Sequence, residues 1–321
     1  MKKTKNFLIF FVIFSAFACT KTPTSKEKLI ARRVDSVIKL MTVEEKIGQL
    51  TLFTSDYDIT GSTIRENYKE DIRQGRVGAI FNAYGVDYVR ELQRMAVEET
   101  RLGIPLIFGY DVIHGHRTIF PISLGEAASW DTAAVRRAAR IAAIEATAEG
   151  LNWTFAPMVD IARDPRWGRI SEGAGEDTYL GMAMAKARVK GFQDNDLSSP
   201  YTMMACAKHY AAYGAAQAGR DYNTVDVSDR TLREVYLPPF KACVDQGVAT
   251  FMTSFNEIAG VPCTGSKYLL TDILRKEWGF EGFVVTDYTS INEMIPHGFA
   301  ADEKHAGELA LNAGVDMDMQ G

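Results

Sequence analysis

The sequence predicts an α/β protein built as a (β/α)8 barrel, and three observations favour that fold. Short apolar, β-branched runs recur along the chain and are typical of buried parallel strands. Longer amphipathic segments with helical spacing separate these runs. Polar residues directly follow several of the runs, and the carboxyl ends of barrel strands form the active-site face of this fold. The predicted strands cover residues 49–53, 77–81, 105–109, 152–156, 202–207, 250–254, 282–286 and 314–317.

The segments between these runs predict helices. Ser228 or Asp229 marks the start of the fourth helix, because both residue types cap helix N-termini. A doubly wound sheet is the competing fold, but no G-x-G-x-x-G sequence follows an early strand. No helical segment follows the eighth run, so we expect a barrel truncated before its last helix. The predicted helices cover residues 88–100, 132–149, 179–191, 231–246, 266–278 and 302–312.

The N-terminus has the pattern of an export signal. Lysines precede the apolar stretch 7–17, which is too short to span a bilayer comfortably, and Cys19 follows small residues. This predicts a lipoprotein-type signal peptide over residues 1–19, cleaved before a lipidated Cys19, with ordinary secretion as the alternative. A polar tether is expected over 20–28 and the barrel over 29–321. The expected location is the periplasm or the outer membrane.

Composition excludes several classes of function. The chain has 321 residues, 46% of them apolar and 24% charged, which is the composition of a globular protein with a large core. Its formal net charge is −5 and no basic stripe with interleaved aromatics occurs, so nucleic acid is not an expected partner. Cys206, Cys243 and Cys263 cannot form a closed disulfide framework.

Polar residues at the ends of the predicted strands outline a pocket. Carboxylates accept hydrogen bonds, whereas arginine and lysine only donate them. A site with both classes suits the hydroxyls of a sugar better than a phosphate, which would require donors alone. The candidate residues are Asp111, Arg163, Lys208, His209, Asn256, Glu257 and Asp287.

Four segments that contain these positions resemble glycoside hydrolase family 3. They occur in the order of that family, and the resemblance extends over about residues 30 to 321. It is similar above all to bacterial periplasmic β-glucosidases. The segments are 108–115 (FGYDVIHG), 156–169 (APMVDIARDPRWGR), 208–214 (KHYAAYG) and 278–287 (WGFEGFVVTD).

The resemblance implies a role for each matching residue. Asp287 would be the catalytic nucleophile that forms a covalent glycosyl-enzyme, and Asp111, Arg163, Lys208 and His209 would bind hydroxyls of the non-reducing sugar. The implied activity is that of a retaining, exo-acting β-glucosidase on β-linked oligosaccharides. In relatives of this type the acid/base glutamate comes from a following α/β sandwich domain, which is absent from this chain. Two carboxyl groups suffice for the reaction, so no cofactor and no metal are expected.

This sequence departs from the family pattern beside the nucleophile. The family usually has Ser-Asp-Trp or Ser-Asp-His, whereas Thr286-Asp287-Tyr288 stands here. Threonine keeps a hydroxyl, but Tyr288 alters the pocket wall and leaves the choice between β-glucosidase and β-xylosidase open. The sequence 219–223 (GRDYN) replaces the Asp-Ser-His loop of the branch that cleaves N-acetylglucosaminides, which argues against that branch.

Other interpretations remain for several of these residues. Glu257 is an alternative second carboxylate, and Trp153 and Trp167 are either sugar-stacking or packing residues. Arg166 and Arg169 are expected to form ion pairs in the loop that contains Arg163. His114 and His116 form an H-x-H pair that some barrel hydrolases use for zinc. A non-catalytic sugar-binding lipoprotein is a further alternative.

Overall fold

The computed structural model describes residues 24–57 and 66–320, and the chain divides into two compact units. The signal peptide, its cleavage site and the lipidation predicted at Cys19 lie outside the described residues. The described part of the first unit is helix α1 (Ser25–Leu40). This helix includes the last residues of the tether predicted over 20–28, and the barrel start predicted at residue 29 lies within it. The second unit begins at Thr42.

Eight parallel strands form the centre of the second unit, as the sequence predicts. Two short strands after the sixth form an antiparallel hairpin, β7 (Glu257–Ile258) and β8 (Val261–Pro262). The eighth barrel strand lies just beyond the predicted range 314–317, because Gly314 ends the preceding helix and pairing starts only at Met317. The barrel strands are β1 (Thr51–Thr54), β2 (Ala79–Phe81), β3 (Ile107–Tyr110), β4 (Trp153–Thr154), β5 (Cys206–Tyr210), β6 (Thr250–Thr253), β9 (Phe283–Val285) and β10 (Asp318–Met319).

Backbone pairing closes these strands into a ring. One sheet has the order β10-β1-β2-β3-β4, and a second has the order β5-β6-β9. Parallel bridges join the two sheets at both edges, Trp153 to Met204 and Val285 to Met317. The side chain of Thr286 strengthens the second junction, because its hydroxyl accepts a hydrogen bond of 2.8 Å from the backbone N–H of Met319. The closed ring confirms the barrel and excludes the doubly wound sheet.

Helices surround the ring. The four longest helices after β2 begin and end within two residues of their predicted bounds. No helix among residues 24–57 and 66–320 is long and apolar enough to cross a membrane. The α-helices of this unit are α2 (Val43–Gln49), α3 (Tyr68–Arg73), α4 (Val86–Glu98), α5 (Ser123–Ala128), α6 (Thr132–Ala148), α7 (Thr178–Gln193), α8 (Asp229–Thr231), α9 (Pro238–Asp245) and α10 (Glu303–Ala313). Two π-helices cover Leu232–Tyr236 and Tyr268–Glu277, and short 3₁₀ turns cover Ile170–Glu172, Tyr213–Ala215, Gln217–Gly219, Cys263–Gly265 and Asn292–Met294.

Alternate strand residues pack into two cores. One core fills the ring and the other lies between strands and helices, because successive side chains of a strand point to opposite faces. The ring is thus packed with side chains and is not a pore. The inner core includes Leu52, Phe81, Trp153, Phe155, Cys206, Met252, Val285 and Met317. The outer core includes Phe53, Ile80, Phe108, Tyr210, Phe251 and Val284.

Candidate active site

Four of the predicted site residues meet at the carboxyl end of the ring. Asp111 directly follows β3, Lys208 and His209 lie in β5, and Asp287 lies two residues after β9. The Lys208 ammonium contacts Asp111 at 2.7 Å, and His209 Nε2 lies 3.6 Å from Asp287 Oδ2. Side chains from three separated strands therefore form one charged cluster on the face where barrel enzymes place their chemistry.

Asp287 is held in the cluster by its own backbone. Its Oδ1 accepts a hydrogen bond of 2.7 Å from the N–H of Tyr288, while its buried Oδ2 has no hydrogen-bond partner among the described residues. The side chain is 14% exposed. Burial raises the pKa of this carboxyl, and the nearby Lys208 and Arg169 cations offset part of that shift. One carboxylate oxygen is therefore free to react.

Lys208 and Asp111 form an ion pair at the edge of the cluster. The lysine side chain is 6% exposed, whereas that of Asp111 is 53% exposed. Burial by itself lowers the pKa of Lys208, but the Asp111 and Glu172 carboxylates together outweigh it, and the pKa lies above its ordinary value. The pair presents a fixed cation inside the site and a carboxylate with open acceptor positions at its rim.

His209 is completely buried and contacts the carboxylate of Asp160, which the sequence analysis did not identify as a site residue. Asp160 Oδ2 accepts a hydrogen bond from the backbone N–H of His209 at 2.8 Å and lies 3.0 Å from its ring Nδ1. Burial, together with the cations Arg169 and Lys208, holds the pKa of the imidazole well below its usual range. His209 is therefore neutral, and burial raises the pKa of Asp160 to about 7.

The structure places Arg163 away from the cluster, whereas Arg169 forms the expected ion pair within the loop and also lies near the cluster. Arg163 is exposed, and its charge acts on the phenol of Tyr236 in the outer helical layer. Arg169 is mostly buried, pairs with Glu172 at 2.6 Å and acts electrostatically on Asp287. The loop carries three arginines within seven residues, and a 3₁₀ turn follows the third, Arg169.

Aromatic rings form one wall of the site. The ring of Tyr213 lies edge-on to His209 at 5.1 Å and to Trp167 at 5.4 Å between ring centroids. Trp167 is buried and its indole N–H donates to Asp221 at 2.9 Å, so it packs behind the wall. Tyr222 is half-exposed, and the charge of Asp287 contributes to the raised pKa of its phenol. Tyr222 therefore offers an accessible ring surface near Asp287, and the neighbouring Tyr288 is also partly exposed.

The remaining candidate residues lie outside this cluster. Glu257 accepts a hydrogen bond from the backbone N–H of Gly260 in the β7–β8 turn. Asn256 is buried and donates to the backbone of Ala211 at 3.3 Å. His114 Nδ1 contacts the carbonyl of Phe120, and His116 Nε2 contacts Glu149. Across the described residues, no group of three His, Cys, Asp or Glu side chains is arranged to hold a metal ion.

Sequence reasoning missed Asp160, Arg169 and Glu172 as members of the cluster. All three lie between β4 and α7, in a loop without regular structure. Alternation within a strand predicts which side chains face the barrel mouth, but it does not extend into such a loop. The one available signal was local: Asp160 is a carboxylate among apolar residues, and a buried carboxylate needs partners.

A search of family models finds that the glycosyl hydrolase family 3 N-terminal domain matches residues 42–321. A protein of Salmonella typhimurium named periplasmic beta-glucosidase is 48% identical over 93% of this chain and 38% of its own length. A putative beta-xylosidase of Formosa agariphila is 31% identical over 94% of this chain and 43% of its own length. The chain thus spans about two fifths of the length of these relatives.

Solved structures give the same match. The beta-glucosidase from Listeria innocua in complex with isofagomine has a TM-score of 0.84 and 38% sequence identity. The match covers 90% of this chain and 41% of the Listeria chain. The structure of EmGH1, a b-glucosidase from Erythrobacter marinus, has a TM-score of 0.81 and 31% sequence identity. This match covers 90% of the present chain and 40% of the EmGH1 chain.

Proposed function

Because this chain belongs to glycosyl hydrolase family 3, we propose that it is the barrel of a retaining, exo-acting β-glucosidase. Its substrate is a terminal β-D-glucosyl residue at the non-reducing end of an oligosaccharide. The observation that carries the proposal is the setting of Asp287, whose buried Oδ2 is without a partner among the described residues and faces a cluster of sugar-binding groups.

Asp287 acts as the nucleophile in two displacements. In the first, its Oδ2 bonds to the anomeric carbon while the bond from that carbon to the leaving oxygen breaks, and a general acid donates a proton to that oxygen. In the second, water attacks the anomeric carbon, the resulting base takes the water's proton, and Asp287 leaves as a carboxylate. The Lys208 and Arg169 cations favour the ionised form that both steps require.

The glucosyl ring lies between Asp287 and Asp111 in this proposal. Asp111 accepts from sugar hydroxyls at the rim, Lys208 donates to them, and His209 contacts a hydroxyl near the nucleophile. Arg169 takes the role that the family resemblance gave to Arg163, because it is the arginine whose charge acts on Asp287. No cofactor takes part in this mechanism.

The acid/base group comes from outside this chain in our proposal. Retaining glycosidases hold their two carboxyl groups about 5–5.5 Å apart. The other carboxyl groups of the cluster are engaged elsewhere, Asp111 with Lys208, Glu172 with Arg169, and Asp160 with backbone N–H groups. Glu257 is held in its hairpin turn outside the cluster. The curated relatives are more than twice as long as the part that this chain matches, which leaves room for a second domain that carries the group.

A trapping experiment tests the role of Asp287. Dinitrophenyl 2-deoxy-2-fluoro-β-D-glucoside releases dinitrophenolate without acid assistance, so this chain should form a stable fluoroglucosyl ester on Asp287. Peptide mass spectrometry should find the adduct in wild type and in Glu257→Gln, and find none in Asp287→Asn. An adduct on another carboxyl group would overturn the assignment.

A β-xylosidase is the second candidate, and a non-catalytic sugar-binding protein is the third. The Formosa relative named a putative beta-xylosidase favours the former, and Tyr288 beside the nucleophile leaves the choice of sugar open. The matching fluoroxyloside decides between the two sugars, because the faster labelling identifies the preferred one. Glucose binding without any adduct would indicate the non-catalytic alternative.

We further propose that the protein is periplasmic and lipid-anchored through Cys19. The lysine-rich start, the apolar stretch 7–17 and the small residues before Cys19 support the anchor, and the name of the Salmonella relative supports the compartment. Radiolabelled palmitate should enter the wild-type protein and not Cys19→Ala. Equal labelling of the two proteins would refute the anchor.

A further inference from the structure

Asp160 is a buried carboxylate that contacts the site only through its neighbours. Its side chain is fully buried, and it lies in the loop after β4, behind His209. Oδ2 faces the backbone N–H and ring Nδ1 of His209, and Oδ1 accepts from the N–H of Tyr213 at 3.2 Å. Two of these three contacts come from backbone N–H groups, which can only donate, so each carboxylate oxygen accepts at least one hydrogen bond.

The contact with Nδ1 decides which ring nitrogen of His209 carries the proton. A neutral imidazole has one N–H and one lone pair. Above the pKa of Asp160 its carboxyl group is ionised, so a lone pair on Nδ1 would face the lone pairs of Oδ2 at 3.0 Å, whereas a proton on Nδ1 makes a hydrogen bond. The proton therefore resides on Nδ1, and Nε2 is an acceptor.

Nε2 of His209 faces the carboxylate of Asp287. It is buried, has no hydrogen-bond partner among the described residues, and lies 3.6 Å from Asp287 Oδ2, which is unpartnered as well. Two acceptors that face each other require a donor from the bound molecule. A hydroxyl supplies that donor, whereas a fluorine or a methoxy oxygen in its place does not.

We propose that Asp160 is a positioning residue that holds His209 in the Nδ1–H tautomer, so that Nε2 accepts a hydrogen bond from a hydroxyl of the bound sugar. The identity of the ligand rests on the proposed function, but the tautomer does not. The consequence is a site that requires a hydroxyl at one position of the sugar and rejects analogues that cannot donate there.

Nitrogen-15 NMR of the histidine rings tests the tautomer directly. The His209 signals are assigned as those lost in His209→Gln, and above the pKa of about 7 of Asp160 the wild type should show protonated Nδ1 and unprotonated Nε2. Asp160→Asn should keep this pattern, because its amide oxygen can face both donors of His209. Asp160→Ala should lose it, while Asp71→Asn, a buried carboxyl change elsewhere, should not.

Two results would overturn the proposal. One is a wild-type His209 ring that carries its proton on Nε2. This result would refute the proposal whether or not Asp160→Ala folds. The other is an unchanged Nδ1–H tautomer in a folded Asp160→Ala.

Binding of glucose and its monofluoro analogues tests the consequence. In wild type, fluorine at one ring position should weaken binding about tenfold, the effect of an unmade buried hydrogen bond. Asp160→Asn should keep this penalty and Asp160→Ala should reduce it. Equal binding of all analogues by wild type would refute the acceptor role of Nε2. If no analogue binds while the Nδ1–H tautomer is present, the proposed function fails and the positioning role of Asp160 stands.

Discussion

Asp287 is subject to opposing electrostatic effects. Burial at the end of β9 disfavours its ionised form, and Asp111 adds repulsion, while Lys208 and Arg169 attract it. The net result is a raised pKa, so the folded protein pays a free-energy cost to keep the charge in place. The proposed nucleophile is thus held in surroundings that make its carboxylate form less stable than it is in water.

We expect Asp287→Asn to raise the free energy of unfolding at pH 7. Below the unfolded pKa, near 4, the carboxyl is protonated in both states and the substitution changes little. As the pH rises through the raised folded pKa, the wild type loses stability, by about 1.4 kcal/mol for each unit of the shift, and the variant does not. Urea unfolding at pH 4 and pH 7 measures the difference.

Asp164→Asn is the control, because its effect on the free energy of unfolding should have the opposite sign. The hydrogen bonds from Arg166 lower the pKa of Asp164 to about 2, so this carboxylate stabilises the fold above its unfolded pKa and loses that effect as the pH falls. The variant should be slightly less stable than wild type at pH 7 and equal to it at pH 2. A loss of stability at pH 7 in Asp287→Asn would contradict our account of that residue.

The residues of the cluster differ in how far the sequence could predict them. Asp111, Lys208, His209 and Asp287 follow or end predicted strands, so the barrel pattern alone brings them to one face. The choice of Arg163 failed because it required the path of an irregular loop, which local periodicity does not encode. The contact of Asp160 with His209 joins residues 49 positions apart, and no pattern within one segment reports such a contact.

At the level of the element, the helix predicted over residues 231–246 shows how proline redirects a regular pattern. The structure has the short α8, a π-helical turn and then α9, which starts at Pro238. Proline has no N–H, so it cannot continue the hydrogen-bond series but fits the first turn of a new helix. The backbone N–H of Leu237 bonds to Leu232 instead, five residues back. Amphipathic spacing predicts the segment and not this break.

Helix α7 allows the contribution of a helix cap to be tested, because two adjacent acidic residues, Glu176 and Asp177, precede it. Asp177 is the N-cap, and its carboxylate accepts a hydrogen bond of 2.7 Å from the backbone N–H of Leu180. We expect Asp177→Ala to lower the free energy of unfolding by about 1 kcal/mol, since it leaves a helix N–H without its cap. Glu176→Ala is the matched control: its side chain is exposed and the change should stay within about 0.5 kcal/mol. Equal effects in chemical denaturation would contradict the assignment of the cap.

Across the whole molecule, the ring depends on contacts that cross its interior. Trp153 lies in the inner core, fully buried, with its ring edge-on to Phe155 and Phe283 at 4.9 and 5.2 Å between centroids. Its indole N–H donates to the hydroxyl of Thr250 at 2.9 Å, which links β4 to β6 across β5. Trp153 is therefore a packing residue, and the sugar-stacking role considered for it is wrong. Composition alone could not decide this, because tryptophan serves both purposes.

Substitutions at Trp153 should therefore test the ring as a unit. We expect Trp153→Phe to lower the free energy of unfolding by about 1–3 kcal/mol, because it removes volume and the buried hydrogen bond, while the Thr250 hydroxyl keeps its bond to the carbonyl of Ala205. Trp153→Ala should cost about 3–5 kcal/mol, since the ring can collapse only partly around the cavity. Trp130→Phe is the control, because this side chain is 70% exposed and should change stability by less than about 0.5 kcal/mol. Urea denaturation followed by far-UV and near-UV circular dichroism should show a single coincident transition for each variant. A Trp153→Ala protein as stable as Trp130→Phe would mean that the packed interior does not hold the two halves of the ring together.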